Sequence, residues 1–159
     1  MIDTSALVIR RAKESDCGTV LDFIRKIAEY EHLSDQVVAT ESGLFQAIFV
    51  QHDCQVILAF VGDLPVGFAL FFYNFSTFKG KKGLYLEDFY VEKEYRHQGI
   101  GKQLIGYLIQ IAKAEHCGRM EWTCLDWNQS AIDFYSSLGA KPMSDWTIFR
   151  LDEETLMHL

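Results

Sequence analysis

Residues 83–116 join three patterns that leave the backbone little freedom. An apolar β-type run, Gly83 to Val91, leads to the loop Arg96-His97-Gln98-Gly99-Ile100-Gly101-Lys102, and an apolar-periodic helix follows from about Gly101 to His116. A strand, a glycine turn and a helix start in this order build an anion cradle. The first-turn N–H groups of the helix have no acceptor within it and lie at the positive end of its dipole. Gly99 and Gly101 lack the Cβ atoms that would hold an anion off the backbone. A ligand carrying a pyrophosphate fits such a loop.

Two familiar nucleotide loops fail here residue by residue. A Walker A loop needs a glycine five positions before Gly101 and Ser or Thr after Lys102; those places hold Arg96 and Gln103. A Rossmann fingerprint beginning at Gly99 needs a glycine where Leu104 stands, and it belongs to the first strand of a βαβ unit, whereas this loop lies past the middle of the chain. What remains is Arg-x-x-Gly-x-Gly. Upstream of it runs Tyr85-Leu86-Glu87-Asp88-Phe89-Tyr90-Val91. Downstream come Leu125-Asp126-Trp127-Asn128-Gln129-Ser130-Ala131-Ile132-Asp133-Phe134-Tyr135 and Leu138-Gly139-Ala140, with Ile9-Arg10 and Tyr30-Glu31 near the start. Together these segments resemble the Gcn5-related N-acetyltransferases (GNAT), in particular the diamine and polyamine acetyltransferase branch, from about Leu7 to Leu151.

The resemblance implies an α/β fold, the GNAT acetyltransferase fold, in which a mixed, mostly antiparallel sheet is flanked by helices, with residues 1–159 forming one domain. It implies acetyl-CoA as co-substrate, no metal, and transfer to a primary amine of a small molecule by direct attack in a ternary complex. Main-chain groups of Phe89, Tyr90 and Val91 would pair with the pantetheine arm. Amides of His97, Gln98, Gly99, Gly101 and Lys102 would hold the pyrophosphate, with Arg96, Ile100, Asn128 and Ala131 as further cofactor contacts. Glu87 would help deprotonate the amine through a water, and Tyr135 would return a proton to the departing thiolate. Tyr30, Glu31 and Asp88 would face the acceptor. Members of the branch form homodimers, so a homodimer is expected.

The chemistry asks for such groups. An alkylammonium with a pKa of about 10.4 is almost wholly protonated at neutral pH, and removing its proton costs roughly 4–5 kcal/mol. A carboxylate acting through water is a common solution. In a regular strand Tyr85, Glu87, Phe89 and Val91 share one face, and Leu86, Asp88 and Tyr90 the other. A phenol can protonate a thiolate. Each residue also has a plainer reading: a solvated or paired carboxylate at a strand end, or a core tyrosine with a satisfied hydroxyl. Lys102 by itself is a surface lysine, and Asn128 a helix cap.

Composition narrows the partners. A net charge of −7 argues against a nucleic-acid surface and fits a cationic substrate better. Cys17, Cys54, Cys117 and Cys124 form no CxxC pair, which reads as buried thiols in a reducing compartment. The five histidines show no metal-ligand spacing. Met1 to Ala6 lacks the basic and apolar segments of a signal peptide, and the apolar runs Val56–Val61 and Val66–Tyr73 are too short to span a bilayer. A soluble cytoplasmic protein without membrane partners is expected.

Element by element, Leu7 to Arg10 reads as a strand and Ser15 to Glu31 as an amphipathic helix. Thr40 caps a second helix. Gln55–Val61 and Val66–Tyr73 read as a hairpin through Gly62-Asp63-Leu64-Pro65. Met120–Leu125 reads as a strand, Asn128 to Gly139 as a capped short helix, and Trp146–Leu151 as the strand that closes the sheet.

The acceptor is the open point. Where polyamine-specific members of the branch carry an aspartate, this chain has Ser76, followed by Lys79, Lys81 and Lys82. Phe75-Ser76-Thr77-Phe78-Lys79-Gly80 is more similar to relatives that acetylate thialysine. A lysine of this loop could meet an amino-acid carboxylate, or all three could be solvated loop charges. A non-catalytic acyl-CoA-binding regulator and a peptide N-acetyltransferase are the alternatives to a small-amine enzyme.

Overall fold

The computed structural model describes residues 3 and 6–159; of the N-terminal stretch read for a targeting signal, residues 1, 2, 4 and 5 lie outside it. The chain divides into two compact units, residues 1–123 and 124–159.

The first unit is built on a five-stranded sheet in the order β1-β2-β3-β4-β5. The strands are β1 (Leu7–Arg11), β2 (Gln55–Val61), β3 (Leu64–Ser76), β4 (Lys81–Val91) and β5 (Met120–Trp122). The first three pairings are antiparallel and β4–β5 is parallel. This is the mixed, mostly antiparallel sheet expected. Gly62, with φ +60°, allows the tight connection between β2 and β3.

Three helices cover the sheet: α1 (Cys17–Tyr30), α2 (Glu41–Phe45, continued by a π-turn over Gln46–Val50) and α3 (Ile100–Ala114). Thr40 accepts the Gly43 N–H at 3.1 Å and so caps α2, as its position in the sequence indicates. Adjacent strand residues point to opposite faces. Phe68 stacks on Phe23 of α1 with ring centroids 5.1 Å apart, whereas the Cα of Gly67 faces Leu104 of α3. The sheet is therefore packed on both sides. Val20, Leu21, Phe23, Leu44 and Ile48 meet Val56, Leu58, Phe68 and Leu70 on one face. On α3, Ile100, Leu104, Ile105, Leu108 and Ala112 are buried, the stripe that its 3.6-residue periodicity predicts.

Strand β4 is not regular. Leu70 faces Asp88 and Phe71 faces Leu86, so Glu87 is an extra, bulged residue. The bulge reverses the alternation expected from sequence. Tyr85 lies across from Phe72, with rings stacked at 5.1 Å, and Leu86 across from Phe71. Asp88 and Tyr90 lie across from Leu70 and Phe68, on the α1 face. Leu86 and Asp88 thus do not share a face, because one inserted residue shifts the two-residue period by one.

The second unit contains α4 (Gln129–Ser137) and α5 (Glu153–His158). Asn128 Oδ1 accepts the Ala131 N–H at 3.3 Å, and Gly139, at φ +87°, follows the helix end, as expected. Residues 146–151 form no strand, contrary to expectation, and Trp146, Ile148, Phe149 and Leu151 are exposed. β-type composition describes fit to a half-buried pleated surface rather than an intrinsic backbone state, so by itself it does not make a strand. β5 likewise ends at Trp122, short of Leu125. Helix α5 is not among the expected elements, although Asp152 caps it by accepting the Thr155 N–H at 2.9 Å and two glutamates begin it.

Gly67 sits where β3, β4 and α3 come closest: a Cβ there would lie 2.9 Å from the Tyr90 carbonyl oxygen and 3.1 Å from Leu104 Cδ1. Gly67→Ala should lower stability by about 1–3 kcal/mol, read as a lower urea midpoint with an unchanged slope; an unchanged midpoint would show that the layers yield at no cost.

Candidate active site

The loop after β4 forms the cradle its glycines indicate. His97 (φ +61°) and Gly99 (φ +82°) adopt left-handed backbone conformations, and α3 begins directly after Gly99. No atom stands within 4 Å of a Cβ built on Gly99, so it is the backbone angle, not lack of space, that calls for glycine there. The first helical bond runs from the Gln103 N–H to the Gly99 carbonyl at 3.0 Å, which leaves the amides of Ile100, Gly101 and Lys102 without an acceptor inside the helix. Ile100, 1% exposed, anchors the helix start in the core. The Gln98 side chain donates to the Glu94 carbonyl at 3.0 Å, and its own Oε1 is buried without a hydrogen-bond partner among the described residues. Lys102 is exposed.

Beside the cradle, β4 changes neighbours along its length. On one edge β3 pairs with it from Lys81 to Val91; on the other, β5 pairs only with Leu84, Tyr85 and Leu86. The β5 ladder ends at Leu86, so the stretch from the Glu87 bulge to Val91 has no β5 partner; a strand edge that loses its ladder partner is where an extended, amide-bearing ligand can add. One main-chain group is already engaged: the Val91 carbonyl accepts from Arg96 Nε at 2.8 Å. Arg96 has two further partners. Its guanidinium lies over the rings of Tyr30, at 5.3 Å, and Tyr90, at 5.2 Å.

The carboxylates gather around the bulge. Glu87 is exposed, whereas Asp88 is partly buried on the α1 face. Burial first, then the charges of Glu87 and Glu31, push the Asp88 carboxyl up to about 6. Burial also raises Glu31, which caps the C-terminal end of α1 next to Tyr30. The Cys54 thiol is raised by burial and then by Asp53 and Asp88. Glu31 and Glu87 thus both act on the Asp88 carboxyl, an acidic cluster suited to hold a cation. The bulge that creates this arrangement has no sequence signal; Glu-Asp in an apolar run reads equally well as a regular strand.

The β3–β4 hairpin lysines play no part in this environment. Lys82 pairs with Glu115 and lies over the Tyr73 ring at 4.5 Å. Six residues of extended strand separate it from Asp88, roughly 20 Å. Ser76, 4% exposed, accepts the Lys79 N–H at 3.3 Å and serves as a turn cap.

In the second unit, Asn128 is the cap of α4 and Ala131 supplies the N–H that it accepts. Tyr135 is partly buried on the same helix, with its ring 5.6 Å from that of Phe134.

A helix start with unbonded amides, a strand edge that loses its partner and clustered carboxylates are arranged to take an extended anionic ligand beside a cationic one. The comparisons agree. Residues 8–140 match the Acetyltransferase (GNAT) family, and the chain belongs to it. It is 40% identical to the thialysine N-epsilon-acetyltransferase of Bos taurus, with 96% of each chain covered. It is 34% identical to the spermidine/spermine N(1)-acetyltransferase-like protein 1 of Homo sapiens over 95% of this chain, which spans 23% of that protein. Among solved structures it is similar to an integron cassette protein from the mobile metagenome of V. cholerae, with TM-score 0.80 and 28% identity over 96% of each chain.

The raised Asp88 carboxyl makes stability depend on pH. Its folded value, about 6, lies above the ordinary 3.8, so the folded state binds more protons than the unfolded state between those values. The favourable contribution is complete below 3.8 and is lost as pH rises through about 6. Asp88→Asn should therefore be more stable than wild type at pH 8, by on the order of 2 kcal/mol, with the advantage vanishing in acid. Chemical denaturation at both pH values checks this; an equal advantage at both would assign the effect to packing.

Proposed function

We propose that the protein transfers the acetyl group of acetyl-CoA to the primary amine of a small molecule, an amino acid of the thialysine type ahead of a diamine or polyamine. The observation that carries this reading is the end of the β4–β5 ladder at Leu86, followed along the chain by Glu87, Asp88 and the cradle loop, with Glu31 acting on the Asp88 carboxyl. The family match runs from residue 8 to residue 140, across both units, which supports treating them as one acetyltransferase domain. The preference for an amino acid rests on the bovine relative, which is covered along nearly its whole length, and on Ser76 in place of the aspartate of polyamine-specific relatives.

Acetyl-CoA supplies a thioester carbonyl already activated for attack. The cradle amides from His97 to Lys102 hold its pyrophosphate, and the β4 edge orients its pantetheine arm. Tyr30, Glu31 and Asp88 receive the substrate ammonium. Glu87, through a water, draws off its proton. The neutral nitrogen attacks the carbonyl carbon, the nitrogen sheds its second proton, and the carbon–sulfur bond breaks. Tyr135 hands a proton to the leaving thiolate, a role that rests on its match to the family's tyrosine. The net products are an N-acetyl amine, CoA thiol and one proton.

A second assignment of the base has an observation of its own. Asp88, with its carboxyl at about 6, is closer to the value that serves a base at neutral pH. Comparing the acid limb of kcat/KM in Glu87→Gln and Asp88→Asn decides the matter. The variant that abolishes the limb has lost the base; the other should chiefly raise the KM of the amine.

The protein is further proposed to be a cytoplasmic homodimer, on the habit of the branch and on its four free thiols. The deciding assay follows CoA-thiol release with thialysine, lysine, putrescine, spermidine and a short peptide. Turnover should be greatest with thialysine or lysine, and Tyr135→Phe should reduce it about tenfold or more. Tight acetyl-CoA binding without turnover on any amine would favour a regulator over an enzyme. Turnover of the peptide alone would move the acceptor to proteins.

A further inference from the structure

Arg96 does something that its place in the glycine motif does not explain. Its guanidinium lies over two aromatic rings, 5.3 Å from the centroid of Tyr30 and 5.2 Å from that of Tyr90, while its Nε donates to the Val91 carbonyl at 2.8 Å. Those three partners come from different parts of the site. Tyr30 ends α1 and precedes Glu31 on the acceptor side, Tyr90 and Val91 close β4, and Arg96 opens the cradle loop. A second link runs parallel to the first: Lys26 of α1 pairs with Glu92, just after β4. The Tyr90 ring in turn rests on Phe23 of α1, at 6.0 Å.

We propose that Arg96 is a positioning residue that couples the acceptor side to the cofactor cradle, with the Tyr30 ring as its outer plate. The inference rests on the reading of the cradle as the acetyl-CoA site. The guanidinium fork suits this work because it can stack on two ring faces and still donate in its own plane; an ammonium cannot. Holding Arg96 fixes where the loop leaves β4, so the amides from His97 to Lys102 are arranged before the ligand arrives. Without Tyr30 the guanidinium loses one plate and the loop must be ordered on binding, which weakens affinity. Tyr30 would then affect a ligand site that it does not itself form. Coupling of this kind is reciprocal, so bound acetyl-CoA should in turn steady Tyr30 and Glu31 for the amine.

The test is calorimetric titration of the intact protein with acetyl-CoA, no amine present. Tyr30→Ala should raise Kd about fivefold, the change a partly desolvated cation–π contact carries, while Tyr30→Phe, which keeps the ring, should stay within about twofold. In an Arg96→Lys background, Tyr30→Ala should add almost nothing, because the link is already broken. If Tyr30→Ala does not fold, Tyr30→Leu removes the π-face at similar bulk and carries the same expectation. A Kd unchanged in the folded Tyr30 variant would overturn the proposal, as would a Tyr30→Ala effect that persists in full beside Arg96→Lys. Wild-type protein that binds no acetyl-CoA would instead overturn the reading of the cradle itself, a separate result.

Discussion

Everything in the first unit turns on the unequal edges of β4. One edge is bonded to β3 along its whole length; the other meets β5 for three residues and then has no ladder to it. A fully paired β4 would be a structural strand with no room for a ligand. A β4 without β5 would lose the parallel connection that carries the chain through α3, and with it the placement of the cradle. Ile100 and Leu104 keep α3 against the sheet, while Glu87 at the bulge stays exposed. Burial thus fixes the start of α3, and the start of α3 fixes where its unbonded amides lie.

The bulge at Glu87 is the second decisive feature, and its effect is electrostatic as well as geometric. By displacing the alternation of β4 it places Asp88 opposite Leu70, on the face covered by α1. There the carboxyl loses solvent and feels Glu87 and Glu31, and all three effects act in the same direction. A carboxyl held near neutrality in this way carries a stability cost at high pH, and such costs are characteristic of sites arranged for proton transfer rather than for stability. The ion pairs elsewhere, Lys82 with Glu115 and Arg119 with Glu121, are exposed and contribute little to stability.

Much of this was legible in the chain. The two-residue and 3.6-residue periods identified β1 to β4, α1 and α3, because each element has one face to bury. Thr40 and Asn128 announced their caps, since few residue types can accept an N–H at a helix start. Local signals failed where the outcome depends on a neighbour. Trp146–Leu151 has the composition of a strand and is not one. The hairpin lysines resembled a substrate contact, yet Lys82 is held by Glu115 and lies far along the strand from Asp88.

By itself the sequence determined the family, the anion cradle and the kinds of group that surround it, because glycine conformations, helix-start amides and carboxylates act within a few residues of themselves. Only the tertiary structure decided where β5 stops pairing, that Glu87 is bulged, that Asp88 is the carboxyl pressed toward neutrality, and that Arg96 is clasped by Tyr30 and Tyr90. Each of these depends on groups brought together from distant parts of the chain. A register shift, a buried charge and a stacked guanidinium have no local pattern to announce them.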